Sequence, residues 1–145
     1  MTWRDLDIYL ETDHITETDF FFLGGKIATT LNPVKMSFRN ETIAKTKGVQ
    51  HGLYWGVYLG DERNGAWKID IWAVTTDECE SLLEYSKQIK RKLTPINSLQ
   101  ILDIKSQCWK NPAYRRSFTS ADIYHAVLDK GITDMNGFQE YLKSR

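Results

Sequence analysis

The stretch WRDLDIYLE, Trp3 to Glu11, sets two acids, Asp5 and Asp7, into an otherwise apolar and β-prone run. A strand turns successive side chains to opposite faces, so Asp5, Asp7 and Tyr9 share one face while Leu6, Ile8 and Leu10 take the other. Two carboxylates then stand close together on one side. Like charges held that near are costly unless a cation or a proton lies between them. The rest of the chain has to supply the reason for that cation.

Downstream of this strand, DHITETDFFFLGGKIATTLNP places Thr16 three residues before Asp19, a helix start, with Phe20, Leu23, Ile27 and Leu31 at helical spacing and Pro33 as the stop. Gly24 and Gly25 fall inside that helix, where glycine is costly unless backbone must approach something closely. Close packing on a sheet is the favoured reading, and a phosphate-binding loop the alternative. Three strand-like runs follow, VKMSFRNE, GLYWGVYLG and AWKIDIWAV, the last two joined by the hairpin-type loop DERNG and therefore antiparallel.

From Thr75 the pattern turns helical. Thr75 and Glu78 form a capping box, Leu82, Leu83, Ile89 and Leu93 lie on one side, and acids precede bases, so Lys90, Arg91 and Lys92 read as a solvated helix end. INSLQILDIKSQCW is expected to be helical, and FTSADIYHAVLDKGITDMNGFQEYLKSR reads as a capped helix stopped by Gly131 and then a short amphipathic one. The fold class expected is α/β: a small mixed sheet with flanking helices in residues 1 to about 94 and a helical C-terminal part from about 95 to 145, together one domain.

The 145 residues carry 19 basic and 19 acidic side chains, so no global field draws in nucleic acid or an anionic membrane surface. Any anion site must be local, and a nucleic-acid-binding protein is disfavoured for want of a basic stripe. Cys79 and Cys108 lack metal or disulfide spacing and read as reduced residues of a cytoplasmic protein. No apolar run approaches the length of a membrane span.

WKIDIWAV repeats the oddity of the opening, with Asp70 between Ile69 and Ile71. If its strand lies beside the first, Asp70 faces the same point as Asp5 and Asp7, and three carboxylates around one pocket suit magnesium, which takes a few carboxylates plus water and phosphate oxygens. The pair in RDLDIYLE and the third acid in WKIDIW resemble the nucleotidyltransferase superfamily, whose mark is D-x-D on one strand and a further acid on a later one. The tail TSADIYHAVLDKGITDMNGFQEYL is similar to the closing helices of small bacterial members, so the resemblance runs from Trp3 onward.

That resemblance implies a mixed-sheet nucleotidyltransferase-like fold and an enzyme that transfers a nucleoside monophosphate from a nucleoside triphosphate to an acceptor hydroxyl. Asp5 and Asp7 would be ligands of Mg2+ or Mn2+. Asp70 would hold the ion that carries the acceptor and help remove its proton, so all three are candidate catalytic residues. Family members carry a Gly-Ser turn before the first acid to hold the nucleotide phosphates, whereas only Met1 to Arg4 precede Asp5 here. The expectation is a start placed too late or a lost 5′ end, with triphosphate binding weakened. A sheet short of one covering helix is expected to bury its apolar surface in a homodimer. The alternative from another class is a non-catalytic nucleotidyltransferase-fold binding or partner module.

Other residues carry two readings each. Lys68 shares the face of Asp70 and either pairs with it or binds substrate phosphate. Tyr54, Trp55, Tyr58, Trp67 and Trp72 read as cross-strand packing before base stacking. Arg39 and His51 read as exposed loop residues before substrate contacts, Tyr114, Arg115 and Arg116 as a solvated loop before an anion site, and His14 and His125 have no partner at ligand spacing.

Overall fold

Strand alternation and helical spacing are realised as four strands in one mixed sheet and six α-helices among the described residues. The computed structural model describes residues 4–46, 48–114 and 116–144; Trp3 and Arg115 lie outside them. In chain order the elements are β1 (Asp5–Glu11), α1 (Glu17–Leu31), β2 (Lys35–Asn40), α2 (Glu41–Ala44), β3 (Leu53–Tyr58), β4 (Lys68–Val74), α3 (Thr76–Lys92), α4 (Pro95–Cys108), α5 (Ser120–Lys130) and α6 (Met135–Lys143). Two compact units divide between Leu83 and Glu84, within α3.

In the first unit the sheet order is β1-β4-β3-β2. β1 runs parallel to β4, and the β4–β3 and β3–β2 pairs are antiparallel. β3 and β4 are joined as a hairpin, as DERNG suggested, and their loop contains a 3-10 turn, Glu62–Asn64. The apolar face gathers Leu53, Trp55, Val57, Ile71 and Ala73 under Phe20 of α1, with Leu23 and Ile27 packed against them. Burying a Val, Leu, Ile or Phe side chain in such a layer is worth roughly 1.5–3 kcal/mol each, which drives α1 onto the sheet. Thr16 caps α1 through its Oγ1, which accepts from the Asp19 N–H at 3.1 Å, while Asn32 ends it in the left-handed conformation (φ 46°), one residue ahead of Pro33.

Gly24 is buried, and a Cβ there would come within 2.6 Å of the Trp55 ring, so the glycine serves close packing. It does not form a phosphate loop. The layer stops short of the edge strand: Leu6 and Ile8 of β1, on the same face by register with Ile69 and Ile71, remain 45% and 36% exposed. The helix predicted from Thr75 forms, but no residue of α3 is buried and Leu83 is exposed. Helical spacing put Leu83 on the apolar side. Its neighbour Leu82 is half-buried, as are Cys79 and Ile89, while Leu93 is exposed as well.

The second unit is helical, and its core is built from Ile101, Ile104, Cys108, Phe118, Ile123 and Phe138. Thr94 caps α4 with Asn97, the Thr119 N–H donates to Asp122 at 2.6 Å ahead of α5, and Gly131 (φ 67°) ends α5 in the left-handed region. Cys79 and Cys108 are free thiols. No helix of the described residues is long and apolar enough to cross a membrane.

Candidate functional site

The polar face of the sheet is where the acids meet. Asp7 of β1 is the register partner of Asp70 of β4, and Asp5 is the partner of Lys68. Neighbouring strands lie about 4.8 Å apart, so parity and pairing together set Asp5, Asp7, Lys68 and Asp70 on one patch. The structure thus brings together the four residues singled out from the sequence. Their exposures differ: Asp7 faces solvent, Asp5 is half-buried, and Lys68 and Asp70 are buried at 6% and 8%.

Each carboxylate oxygen of Asp70 has a partner. Its Oδ2 accepts from Lys68 Nζ at 2.5 Å, and its Oδ1 accepts from the Tyr54 hydroxyl at 2.5 Å. Lys68 and Asp70 are two residues apart on one strand, which puts both on the same face, and the long lysine stem spans that step. Tyr54 reaches Asp70 across Gly56, the register partner of Asp70 on β3; a Cβ at Gly56 would collide with the Tyr54 hydroxyl and lie 2.9 Å from Ser37 Oγ. Gly56 and the phenol of Tyr54 are site residues that the sequence reading did not assign, although the alternation Tyr54, Gly56, Tyr58 marks one face. Tyr54 also packs on Trp72, ring centroids 4.6 Å apart, as expected for cross-strand aromatics.

The field of the patch is visible in its phenols. Burial first, then the charges of Asp7 and Asp70, push Tyr9 up to about 12, while Gln50 donates to its hydroxyl at 3.2 Å. Burial and the bond to Asp70 push Tyr54 upward as well. Both phenols stay protonated at neutral pH, so Tyr54 is a donor to Asp70.

A hard divalent ion suits this donor set in kind, and Asp7 and Asp70 are in register for it. The arrangement differs from a ready ion site: among the described residues no three His, Cys, Asp or Glu side chains are placed to hold a metal ion. Asp70 keeps its oxygens on Lys68 and Tyr54.

Arg39, His125 and Tyr114 have structural partners. Arg39 lies in β2, where it pairs with the buried Glu41 and donates to Thr46 at 3.2 Å. His51 borders a cavity of about 270 Å³ beyond the carboxyl ends of β1 and β4, whose acids are engaged, Asp13 by Thr76 and Glu17 by Asn40. His125 Nδ1 meets the Tyr141 hydroxyl at 2.8 Å beside a cleft of about 410 Å³ in the helical unit, and Tyr114 bonds Ser120. Trp67 precedes β4 and is 40% exposed. No family model, curated protein or solved structure matches this chain.

Proposed function

We propose that this chain is a nucleotidyltransferase-like protein that transfers a nucleoside monophosphate from a nucleoside triphosphate to an acceptor hydroxyl, with Mg2+ or Mn2+ at Asp5, Asp7 and Asp70. The observation that carries the reading is the register of Asp7 with Asp70 on the polar face of the sheet, with Asp5 one step along. When bound, the ion neutralises negative charge that builds up on the phosphates during transfer. Asp7, exposed, is the side chain that meets solvent-borne ligands first. Asp70, held by the Tyr54 hydroxyl, would take the proton of an acceptor hydroxyl once Lys68 leaves it. Lys68 brings the patch a buried ammonium, a partner for a phosphate oxygen once it leaves Asp70.

A second reading, the non-catalytic module of the same fold, is favoured by one observation. Both oxygens of the buried Asp70 are already satisfied by Lys68 and Tyr54, as in a structural ion pair. A thermal melt of wild type and Asp7→Asn with and without Mn2+ at millimolar order, followed by nucleoside triphosphate binding, separates the two. The enzyme reading expects a metal-dependent rise in Tm in wild type that Asp7→Asn abolishes, and nucleotide binding that needs the ion. Equal responses of the two proteins, or none, would leave the module.

A further inference from the structure

We propose that the cleft of about 410 Å³ in the helical unit binds a small neutral planar ring whose edge carries an N–H donor beside a carbonyl acceptor, a cyclic amide being the simplest case. Its lining comes from the C-terminal part of α3 and from α5 and α6, and none of Asp5, Asp7 and Asp70 takes part.

A cavity of that volume falls within the range of small-molecule sites, and the half-buried Ile89 and Leu128 give it an apolar wall. Two of its aromatic rings already have partners. Tyr124 carries Lys105 Nζ over its ring at 5.0 Å, while Tyr141 stacks on Phe138 and meets His125 Nδ1 at 2.8 Å. Tyr85 differs: among the described residues it has neither a ring partner nor a hydrogen bond to its hydroxyl, and it is 48% exposed. A flat ring left open on the wall of a cleft is a platform on which another flat ring can stack. Burial first, then Tyr124, Asp129 and Asp122, push the Tyr85 phenol up, so its hydroxyl stays a donor at neutral pH.

Lys92 and Asp129 supply the polar edge. Lys92 Nζ donates to Asp129 Oδ1 at 2.5 Å, which uses one of the three ammonium N–H groups. Asp129 Oδ2 lies 3.9 Å from His125 Nε2, outside hydrogen-bond reach, so it can still accept. The pair therefore offers a donor and an acceptor side by side with their charges cancelled. Asp122, the other carboxylate of the lining, is held by the Thr119 N–H at 2.6 Å. Lys105 lies at Tyr124 and Lys130 acts on Asp129, so the carboxylates are matched by ammonium groups and the cleft has no surplus charge to draw in an ion. A cyclic amide suits both halves of the pair: its carbonyl accepts from Lys92 and its N–H donates to Asp129 Oδ2, while its ring lies on Tyr85.

The experiment is an NMR titration of the full chain, carrying carbon-13 labelled tyrosine, with the bicyclic lactam carbostyril. The Tyr85 and Tyr124 signals should move together and saturate, with a Kd on the order of millimolar. N-methylcarbostyril keeps the ring and the carbonyl but loses the donor, and should bind about tenfold more weakly. Asp129→Ala should weaken carbostyril by about the same factor and leave N-methylcarbostyril unchanged. Tyr85→Ala, read at Tyr124, should weaken both lactams by about tenfold. Far-UV circular dichroism confirms that each variant is folded. Absence of a saturable shift at Tyr85 overturns the site. Equal binding of the two lactams, or of carbostyril by wild type and Asp129→Ala, overturns the donor–acceptor edge, and full affinity in Tyr85→Ala overturns the stacking platform. Tighter binding of naphthylmethylammonium or of naphthoate, rings of matched size with a positive or a negative charge, overturns the neutral class of ligand.

Discussion

Gly24 of α1 lies against the indole of Trp55 in β3, so close that a Cβ on Gly24 would stand 2.6 Å from Trp55 Cε2. The ring cannot easily retreat, because Trp55 Nε1 donates to the Phe20 carbonyl of the same helix at 3.0 Å. Gly25, the next residue, has nothing within 4 Å of its would-be Cβ. Gly24→Ala should therefore destabilise the protein by about 1–3 kcal/mol through overpacking. Gly25→Ala should stabilise it by roughly 0.5–1 kcal/mol through helix propensity. Urea denaturation of the two variants checks this, and shifts of the same sign in both would contradict the packing account.

Tyr9 reports on the acid patch. Burial, Asp7 and Asp70 raise its phenol from 10.0 to about 12, so the neutral form is favoured in the folded state. Its contribution to stability is complete below pH 10 and is lost as the pH rises through about 12. Asp7→Asn and Asp70→Asn should each lower the Tyr9 pKa, which carbon-13 labelled tyrosine followed by NMR resolves, with Tyr9→Phe giving the assignment. No movement in either variant would mean that the carboxylates do not face Tyr9.

Glu41 makes an acid-sensitive tie. It is 1% exposed, and although burial by itself would raise its carboxyl, the Thr46 N–H at 3.0 Å, the Thr46 hydroxyl and the Arg39 guanidinium hold it below 4.5. A depressed carboxyl stabilises the fold above its unfolded pKa and loses that contribution as the pH falls through the folded value. Glu41→Gln should cost roughly 1–3 kcal/mol at neutral pH by weakening charge-assisted bonds. The gap between variant and wild type should then narrow in acid. Denaturation curves at pH 7 and below pH 4 make the comparison, and a gap that widens in acid is the result that refutes it.

Leu6 and Ile8 bring apolar side chains to the exposed edge strand of the sheet. Edge strands that expose such residues invite pairing, and a dimer through β1 would cover both. Wild type should scatter light as a dimer at high concentration, with Tm rising with concentration, and Leu6→Lys should shift it toward monomer. A wild type that stays monomeric throughout counts against this surface.

The sequence by itself determined the features whose causes lie within a few residues. Alternation put Asp5, Asp7 and Tyr9 on one face, Thr16 with Asp19 began α1, Gly131 ended α5, and the short loop DERNG made β3 and β4 antiparallel. Each depends on local hydrogen bonds or on the period of the backbone. Tertiary structure alone decided that β1 lies parallel to β4 in the register that sets Asp7 beside Asp70, since those residues meet only after the chain has crossed the sheet. It decided that Tyr54 reaches Asp70 over Gly56, a contact invisible in any linear window, and that of the two readings of Lys68 the pair with Asp70 is the one formed. It also decided that Leu83, at good helical spacing, stays exposed, and that the short α2 buries Glu41 against Arg39. Burial and strand register are settled by partners distant in sequence, and a periodic pattern states which face is apolar without stating what, if anything, will cover it.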